Sequence, residues 1–455
     1  MIRPAGTQPT PEVIRSCIQD HQREIPRLDR LYRYYKGEHN IMSRKADNPL
    51  APNNRVVAPN AYYITTVANG FTFANPLAYS GDSIDNLVQE NKLAKTAAHD
   101  AEIGEDLSIF GRAYELVYMS QLPSQHVKLN HLDPRGSFVV FSNEIDPEPM
   151  FAVYYYRETA VDGRENGWKL NVYDGAWLYL YHLSGLYDLP ELESRMPHYA
   201  GQVPIVEYKN NDEGIGDYER VLTLIDAYDR LQSDRLDDKD QFVDAILAVY
   251  GARLMDDADQ APEVVKLLHD YKIMDDLDKD ARIEYIKKAL DETSVEVLRQ
   301  AIKSDISKFS LVPELTDENF AGNASGVAME FKTLGLKWLA NIKRRMFKKS
   351  LDRRLQVMNS YMTKLGRGFD WTDVDITFDD ALPVDVMSYL PYAKDTLSRK
   401  TLVSFFANKF GVADVEKELV QIAQEQADAD RRNKTLFDAG GDFGESAGGD
   451  DGSAG

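Results

Sequence analysis

Apolar residues recur over the first 40 positions at mostly helical spacing, at Ile14, Ile18, Ile25, Leu28 and Leu31, which predicts a helix after a Pro-rich start. A polar loop with Pro49, Pro52, Asn53 and Asn54 follows. Residues 62–74 are apolar, are predicted helical, and end at Asn75-Pro76; residues 84–110 predict one or two more helices up to Phe110-Gly111. From about residue 113 the period changes to two. Strands rich in Tyr, Val and Phe are predicted at 113–119, 127–132, 137–142, 150–158, 168–173, 176–182 and 203–209. Asp162-Gly163, Asn166-Gly167 and Asp174-Gly175 supply hairpin chemistry between them, so the region reads as a mostly antiparallel sheet.

Residues 210–216, with Gly214-Ile215-Gly216, read as a hinge. A long helix follows over about 217–247, with Val221, Ile225, Tyr228 and Leu231 as its apolar stripe. At 1.5 Å per residue it would run roughly 45 Å. Residues 251–291 form a small acidic module of mixed type, and a further helix covers about 294–309. The loop 311–324 precedes the longest helix, about 325–365, whose stripe reads Val327, Phe331, Leu334, Trp338, Ile342, Met346, Leu351, Leu355, Met358 and Met362. Gly335 within it is a candidate kink. Val374, Ile376 and Phe378 then alternate with polar residues, a lone strand expected to rejoin the earlier sheet. Helices continue after Pro383 to about 436. The tail from Asp438 holds seven Gly and five acids without Lys or Arg, a composition expected to be disordered. The class is α+β, and no internal repeat is present.

Composition changes this picture in two ways. The 455 residues suggest about three domains, and 43% hydrophobic content is enough to bury a core. The net charge of −21, from 53 basic and 74 acidic residues, argues against a protein that grips nucleic acid or anionic membranes through a basic face. The lone cysteine, Cys17, excludes an intramolecular disulfide framework and suits a reducing cytoplasm. The first residues carry no apolar run of a secretory signal, and no apolar stretch reaches membrane-spanning length.

Enzymatic signals are weak. Gly214-Ile215-Gly216 lacks a third glycine, and no P-loop sequence exists. Asp276, Asp278 and Asp280 have EF-hand spacing, but Ala281 and Lys287 occupy the positions that need Gly and Glu. The clusters Asp237-Asp238-Lys239-Asp240 and Asp256-Asp257-Ala258-Asp259 read as solvated acids rather than a metal site, and no histidine pair has ligand spacing. No catalytic residue, metal or cofactor is expected. The charge distribution is more informative. Residues 337–354 hold Lys337, Lys343, Arg344, Arg345, Lys348, Lys349, Arg353 and Arg354 against Asp352 alone, a net +7 in an acidic chain. Pairing with the acidic helix at 217–240, within a subunit or between neighbours, is preferred to DNA binding.

Four segments, in this order, carry a resemblance: 34–41 (Tyr34-Tyr35-Lys36-Gly37-Glu38-His39-Asn40-Ile41) with 53–57, 70–77, Phe138-Val139-Val140-Phe141 leading into Tyr154-Tyr155-Tyr156-Arg157, and 320–328. Over about residues 25–435 the chain resembles the portal proteins, head-to-tail connectors of tailed double-stranded-DNA bacteriophages. The resemblance implies a portal-type fold: wing at 1–210, stem helices at 211–250 and 292–310, a small α/β clip at 251–291, tunnel loop at 311–324, long wing helix at 325–366, returning wing strand at 367–385, and helical crown at 386–437. It implies a ring, in this family usually of twelve subunits, at one capsid vertex, through which DNA passes without sequence specificity during packaging and ejection. Expected partners are the terminase large subunit, head-completion adaptors, and capsid and scaffolding proteins, with no membrane. The expected location is the virion, after assembly in the host cytoplasm. Pro313, Glu314, Asp317, Glu318, Asn319, Phe320 and Asn323 become candidate channel residues. Lys337, Lys343, Arg344, Arg345, Lys348 and Lys349 become a candidate subunit interface, and Asp256, Asp257, Asp259, Asp276, Asp278 and Asp280 candidate clip-docking residues. Excess negative charge then suits a conduit in which DNA must slide. The other classes considered are a non-conducting coat or scaffold subunit, a helical adaptor, and a nuclease using Asp237 and Asp238.

Overall fold

The computed structural model describes residues 1–46, 52–120, 125–243, 246–250, 282–286, 292–315, 330–379, 396–410 and 415–440. The chain divides into two compact units, Met1–Leu382 and Pro383–Gly455.

The first unit opens with the short strand β1 (Ile2–Arg3) and helix α1 (Pro11–Gln22). The Thr10 hydroxyl caps α1 by accepting from the Val13 N–H at 3.4 Å, and Pro11 sits where no donor is needed. The predicted single helix is two: α2 (Ile25–Tyr35) restarts after Arg23, because Pro26 lacks the N–H a continuous helix would use. Then come α3 (Asn60–Phe73), β2 (Ala78–Ser80), α4 (Asp85–Ala94) and α5 (Thr96–Phe110). α3 and α5 pack closely at Gly104, where a Cβ would meet Asn69 Oδ1 at 2.3 Å and the Phe73 ring at 2.4 Å.

The strands divide into two sheets rather than one. β1, β5 (Ser137–Ser142), β6 (Pro149–Thr159), β7 (Glu165–Tyr173), β8 (Trp177–Leu183) and β9 (Glu191–Pro197) lie in that order; β1 runs parallel to β5 and the rest antiparallel. β10 (Ile205–Lys209), β3 (Arg112–Met119) and β4 (Val127–Leu132) form the second sheet. β9 escaped the sequence pattern because all seven residues are exposed and no apolar alternation marks it. Asn166-Gly167 is not a turn: it lies inside β7, where a Cβ on Gly167 would sit 2.4 Å from the Leu183 carbonyl oxygen. The returning strand β13 (Asp375–Thr377) does not rejoin either sheet. It pairs antiparallel with β2, Ile376 opposite Tyr79, because three residues with one buried side chain can complete only a short ribbon.

α6 (Leu222–Val243) leads into β11 (Ile246–Tyr250), which pairs antiparallel with β12 (Arg282–Ile286) ahead of α7 (Glu292–Ser310). Residues 251–281 and 287–291, with every candidate clip-docking aspartate, lie outside the described residues. α8 (Leu334–Lys364) is preceded by a helical stretch at 330–332 that breaks at Thr333, two residues before the predicted kink. Gly335 instead allows a close approach to Leu311, whose carbonyl oxygen would lie 3.3 Å from a Cβ.

α8 passes through two cores. Its first half packs Leu336 and Ala340 with Leu31, Tyr34, Ile64 and Ile225 from α2, α3 and α6. Its second half packs Phe347, Leu351, Leu355 and Met358 with Val117, Val127 and Tyr208 of the second sheet. A third core joins α1, through Ile14 and Ile18, to the first sheet and encloses Cys17. The second unit contributes α9 (Arg399–Phe410) and α10 (Val415–Gly440); residues from 441 on are not among those described.

Candidate functional site on the ladder helix and the long helix

Asp229, Ser233 and Asp237 of α6 are buried and face inward. Asp229 Oδ1 accepts from the Ala58 N–H at 2.8 Å, Ser233 Oγ from the Val56 N–H at 3.0 Å, and Asp237 Oδ1 from the Asn54 N–H at 2.7 Å. Every fourth residue of the helix thus meets every second amide of the strap at 54–58. The match is geometric: four helical residues advance about 6 Å, and two residues of near-extended chain about 6.6 Å. Asn54 Nδ2 also donates to Asp237 and Asp240, Arg44 pairs with Asp234 and Asp237, and Tyr34 OH donates to Asp226 Oδ1 at 2.5 Å. At the head of this ladder the fully buried His39 places Nδ1 2.5 Å from Asp229 Oδ2 and Nε2 3.0 Å from the Tyr34 carbonyl oxygen. Among the described residues no His, Cys, Asp and Glu cluster has the arrangement of a metal site, and Asp237 is already bound to Asn54 and Arg44.

The supposed hinge at 210–216 is a packed junction. Gly111 and Gly214 have φ of +79° and +69°, and a Cβ on Gly111 would lie 2.2 Å from the Gly214 carbonyl oxygen. The Asp217 N–H donates to the Ser108 carbonyl at 2.8 Å, the Asn210 N–H to the Gly111 carbonyl at 3.0 Å, and Arg27 to Glu219 and the Gly214 carbonyl. Glycine serves close approach here, not freedom.

α8 is held by two buried ion clusters. Lys343 Nζ donates to Asp217 Oδ2 and Ser108 Oγ, both at 2.7 Å, with both charged side chains removed from solvent. Arg354 donates through Nε to Glu115 and through Nη1 to Asp100 at 2.6 Å, while Tyr208 OH donates to Glu115 Oε2 at 2.5 Å. Burial raises the Asp100 carboxyl above the usual aspartate range, and raises the Tyr208 hydroxyl well above its ordinary value.

These contacts divide the predicted basic face. Lys343 is corrected outright: an ammonium buried against Asp217 inside the subunit cannot reach a neighbour. Arg344 is half-buried over the Phe71 and Phe378 rings, 5.8 and 5.6 Å from their centroids. Lys337 pairs with Glu330 at 3.6 Å and Lys348 with Asp375 at 3.9 Å. Arg345 and Lys349 are exposed and make no ion pair among the described residues. The apolar stripe is corrected as well. Leu351, Leu355, Met358 and Met362 are buried as expected, but Phe331, Trp338 and Ile342 are exposed, at 73%, 57% and 49%. The buried phase runs instead through Leu336, Ala340, Lys343 and Phe347.

Of the candidate channel residues, Pro313 and Glu314 are described; Asp317, Glu318, Asn319, Phe320 and Asn323 lie outside the described residues. Tyr63 of α3 secures this root: its hydroxyl donates to the Pro313 carbonyl at 2.9 Å and accepts from the Leu315 N–H at 2.8 Å, while Lys303 pairs with Glu314. Tyr63→Phe is expected to cost about 1–2 kcal/mol through two lost partners. Hydrogen exchange at the Leu315 amide should accelerate at least severalfold, with the β3 amides unchanged.

Residues that sequence reading missed share one signal. Lys343 and Arg354 fall in phase with Phe347, Leu351 and Met358, and a cation on the buried face of a helix needs a buried anion. Which anions serve, Asp100, Glu115 and Asp217, no pattern revealed. His131, on β4, is a partner no pattern revealed either: its Nε2 lies 2.5 Å from Asp106 Oδ2 in α5.

The first unit is thus a two-sheet body with the α6–α7 pair beside the β11–β12 ribbon and with α8 packed into two of its cores. Residues 14–432 match the family of phage portal proteins of the SPP1 Gp6-like type, and the chain belongs to that family, bacteriophage components of the head-to-tail connector. It is similar to the portal protein of Bacillus phage SPP1, with 22% identity over 473 residues covering 96% of this chain and 90% of that protein. A solved neck of an empty GTA particle is similar at 13% identity and a TM-score of 0.46, covering 77% of this chain and 90% of that one. No helix among the described residues is long and apolar enough to cross a membrane.

Proposed function

We propose that the chain assembles into a closed ring, of twelve copies, at one capsid vertex, and that the ring is the conduit for DNA entering during packaging and leaving at ejection. The observation that carries this is family membership over residues 14–432. DNA passes without sequence-specific contact, and a chain of net charge −21 adds little counterion-release affinity that would arrest its sliding. The α6–α7 pair is the stem, and the module between β11 and β12 is the clip, where the terminase large subunit and later the head-completion adaptors dock. Capsid and scaffolding proteins surround the wing, and the ring forms in the host cytoplasm before residing in the virion. The chain performs no catalysis and takes no cofactor; the inward commitment of Asp229 and Asp237 to strap amides supports a structural use of those acids.

Negative-stain imaging and native mass measurement of the purified protein test this. The expected result is a closed ring of fixed subunit number with an opening wide enough for a duplex. Open lattices or shells would place the chain among coat or scaffold subunits, a stable monomer among adaptors, and Mg²⁺-dependent DNA cleavage lost in Asp237→Asn among nucleases.

A further inference from the structure

A ring of identical subunits closes through a heterologous contact, so each subunit must present two different surfaces that fit one another. The described residues offer two exposed apolar helix faces; on the second, Lys308 Nζ lies 5.5 Å from the Phe309 ring centroid. The first is on α8. Trp338, Ile342, Arg345 and Lys349 follow one another at spacings of four, three and four, and all are exposed. They stand two residues out of phase with the buried Leu336, Ala340, Lys343 and Phe347, about 200° around the helix. This outer stripe is apolar at its first two positions and cationic at the next two.

The second face is on α7. Ile306 and Ser310 are buried and Arg299 and Lys303 half-buried on its inner side, while Val297, Leu298, Ala301 and Phe309 are exposed, with Val297 at 66% and Phe309 at 56%. Asp305 stands between Ala301 and Phe309 and has no ionic partner among the described residues. The two faces also differ in the charge of their surroundings. α8 carries nine basic residues against one acid, while α6 and α7 together carry nine acids against six bases.

We propose that the outer α8 stripe of one copy seats against the exposed α7 face of the next. Trp338 and Ile342 cover Val297, Leu298 and Phe309, and Arg345 and Lys349 meet Asp305 and the acidic flank of the helix pair. The occupant is a second copy because the two faces complement each other in both apolarity and charge, and because paired faces of this kind allow a ring to close. Exposed aromatic and aliphatic side chains aligned on one helix face are the kind of patch that marks an interaction surface. This pairing rests on the ring reading above, and it names which surfaces make the ring.

The test uses two full-length variants, Trp338→Glu with Ile342→Glu, and Val297→Glu with Phe309→Glu. All four positions are exposed, so each variant is expected to keep the melting temperature of the isolated subunit. Each alone should run as a monomer of 51.6 kDa, with ring population lost at least tenfold. Mixed in equal amounts, they should form a one-to-one pair of twice that mass and stop there, since one intact face remains on each partner. If the parent chain forms rings and either variant still does so, the pairing is overturned while the ring reading stands. Monomeric variants that stay monomeric when mixed would also overturn it, since the faces would not then oppose each other. A parent chain that forms no ring would overturn both.

Discussion

Arg354→Met is expected to destabilise the first unit by about 3–5 kcal/mol, because it strands two buried carboxylates instead of deleting a whole ion cluster. Asp100 and Glu115 are 3% and 0% exposed, and Arg354 donates to both. With total stabilities of about 5–15 kcal/mol, the loss should be visible in soluble yield. The sign of the pH dependence follows from Asp100. Burial already holds its carboxyl above the usual range with Arg354 present. A carboxyl whose folded-state pKa is raised binds its proton more tightly in the folded state. It therefore stabilises the fold as pH falls toward its ordinary value, and that contribution is lost as pH rises through the raised one. Without Arg354 the carboxyl moves further the same way. Urea unfolding of Arg354→Met should show stability increasing from about pH 8 to about pH 5 by more than in the parent chain. Adding Asp100→Asn and Glu115→Gln should return at least half of the loss, since neutral amides need no counter-charge. Unfolding midpoints must be compared at one protein concentration, because subunit association shifts them.

Asp229→Ala should cost about 2–4 kcal/mol, while Asp229→Asn should cost about 1 kcal/mol. Alanine removes the acceptor for the half-buried Ala58 N–H and for the buried His39 at once. Asparagine keeps an oxygen for Ala58 and turns its amide toward His39 Nδ1, which can then accept while Nε2–H donates to the Tyr34 carbonyl. The Ala58 amide should lose its exchange protection in the alanine variant and retain most of it in the asparagine variant. Equal effects of the two substitutions would show that the ladder on α6 does not hold the strap.

The ladder shows why acidic patterning alone misleads. On the sequence, Asp226, Asp229, Asp237 and Asp240 look like a solvated or partner-facing helix surface, since Asp is seldom buried. Their actual partners are amides and side chains about 180 residues earlier in the chain, and a main-chain N–H carries no residue signature. The candidate site was therefore legible as charge and illegible as geometry. The basic run at 337–354 was visible as a block, but its members serve different purposes: an internal ion pair for Lys343, cation–π stacking for Arg344, a buried cluster for Arg354, outer ion pairs for Lys337 and Lys348, and an open surface for Arg345 and Lys349.

Periodicity worked where one face of an element is apolar and the other is not. The seven strands with an apolar pattern fall within a few residues of their observed bounds, but the helix expected over about 217–247 is shorter, Leu222–Val243, because Ile246–Tyr250 pairs as β11 instead of continuing it. Periodicity failed on β9, where no position is buried, and on the first half of α8, where two faces compete. Trp338 and Ile342 are larger and more apolar than Ala340 and Lys343, so the pattern favours the outer face; the inner face is chosen because Ala340 lets α8 approach α3 and Lys343 finds Asp217.

By itself, then, the sequence determined the α+β class, the order of the strands and helices whose apolar pattern is one-sided, the acidic character of the chain and, through four short segments, its family. These are properties of neighbouring residues and of composition, which spacing and side-chain type record directly. Only the tertiary structure decided which cation meets which anion, which face of α8 is covered, where β13 pairs, and that glycines 111 and 214 tighten a junction. Those outcomes depend on contacts between residues about 100 to 300 positions apart in the chain, and no local pattern encodes such a pairing.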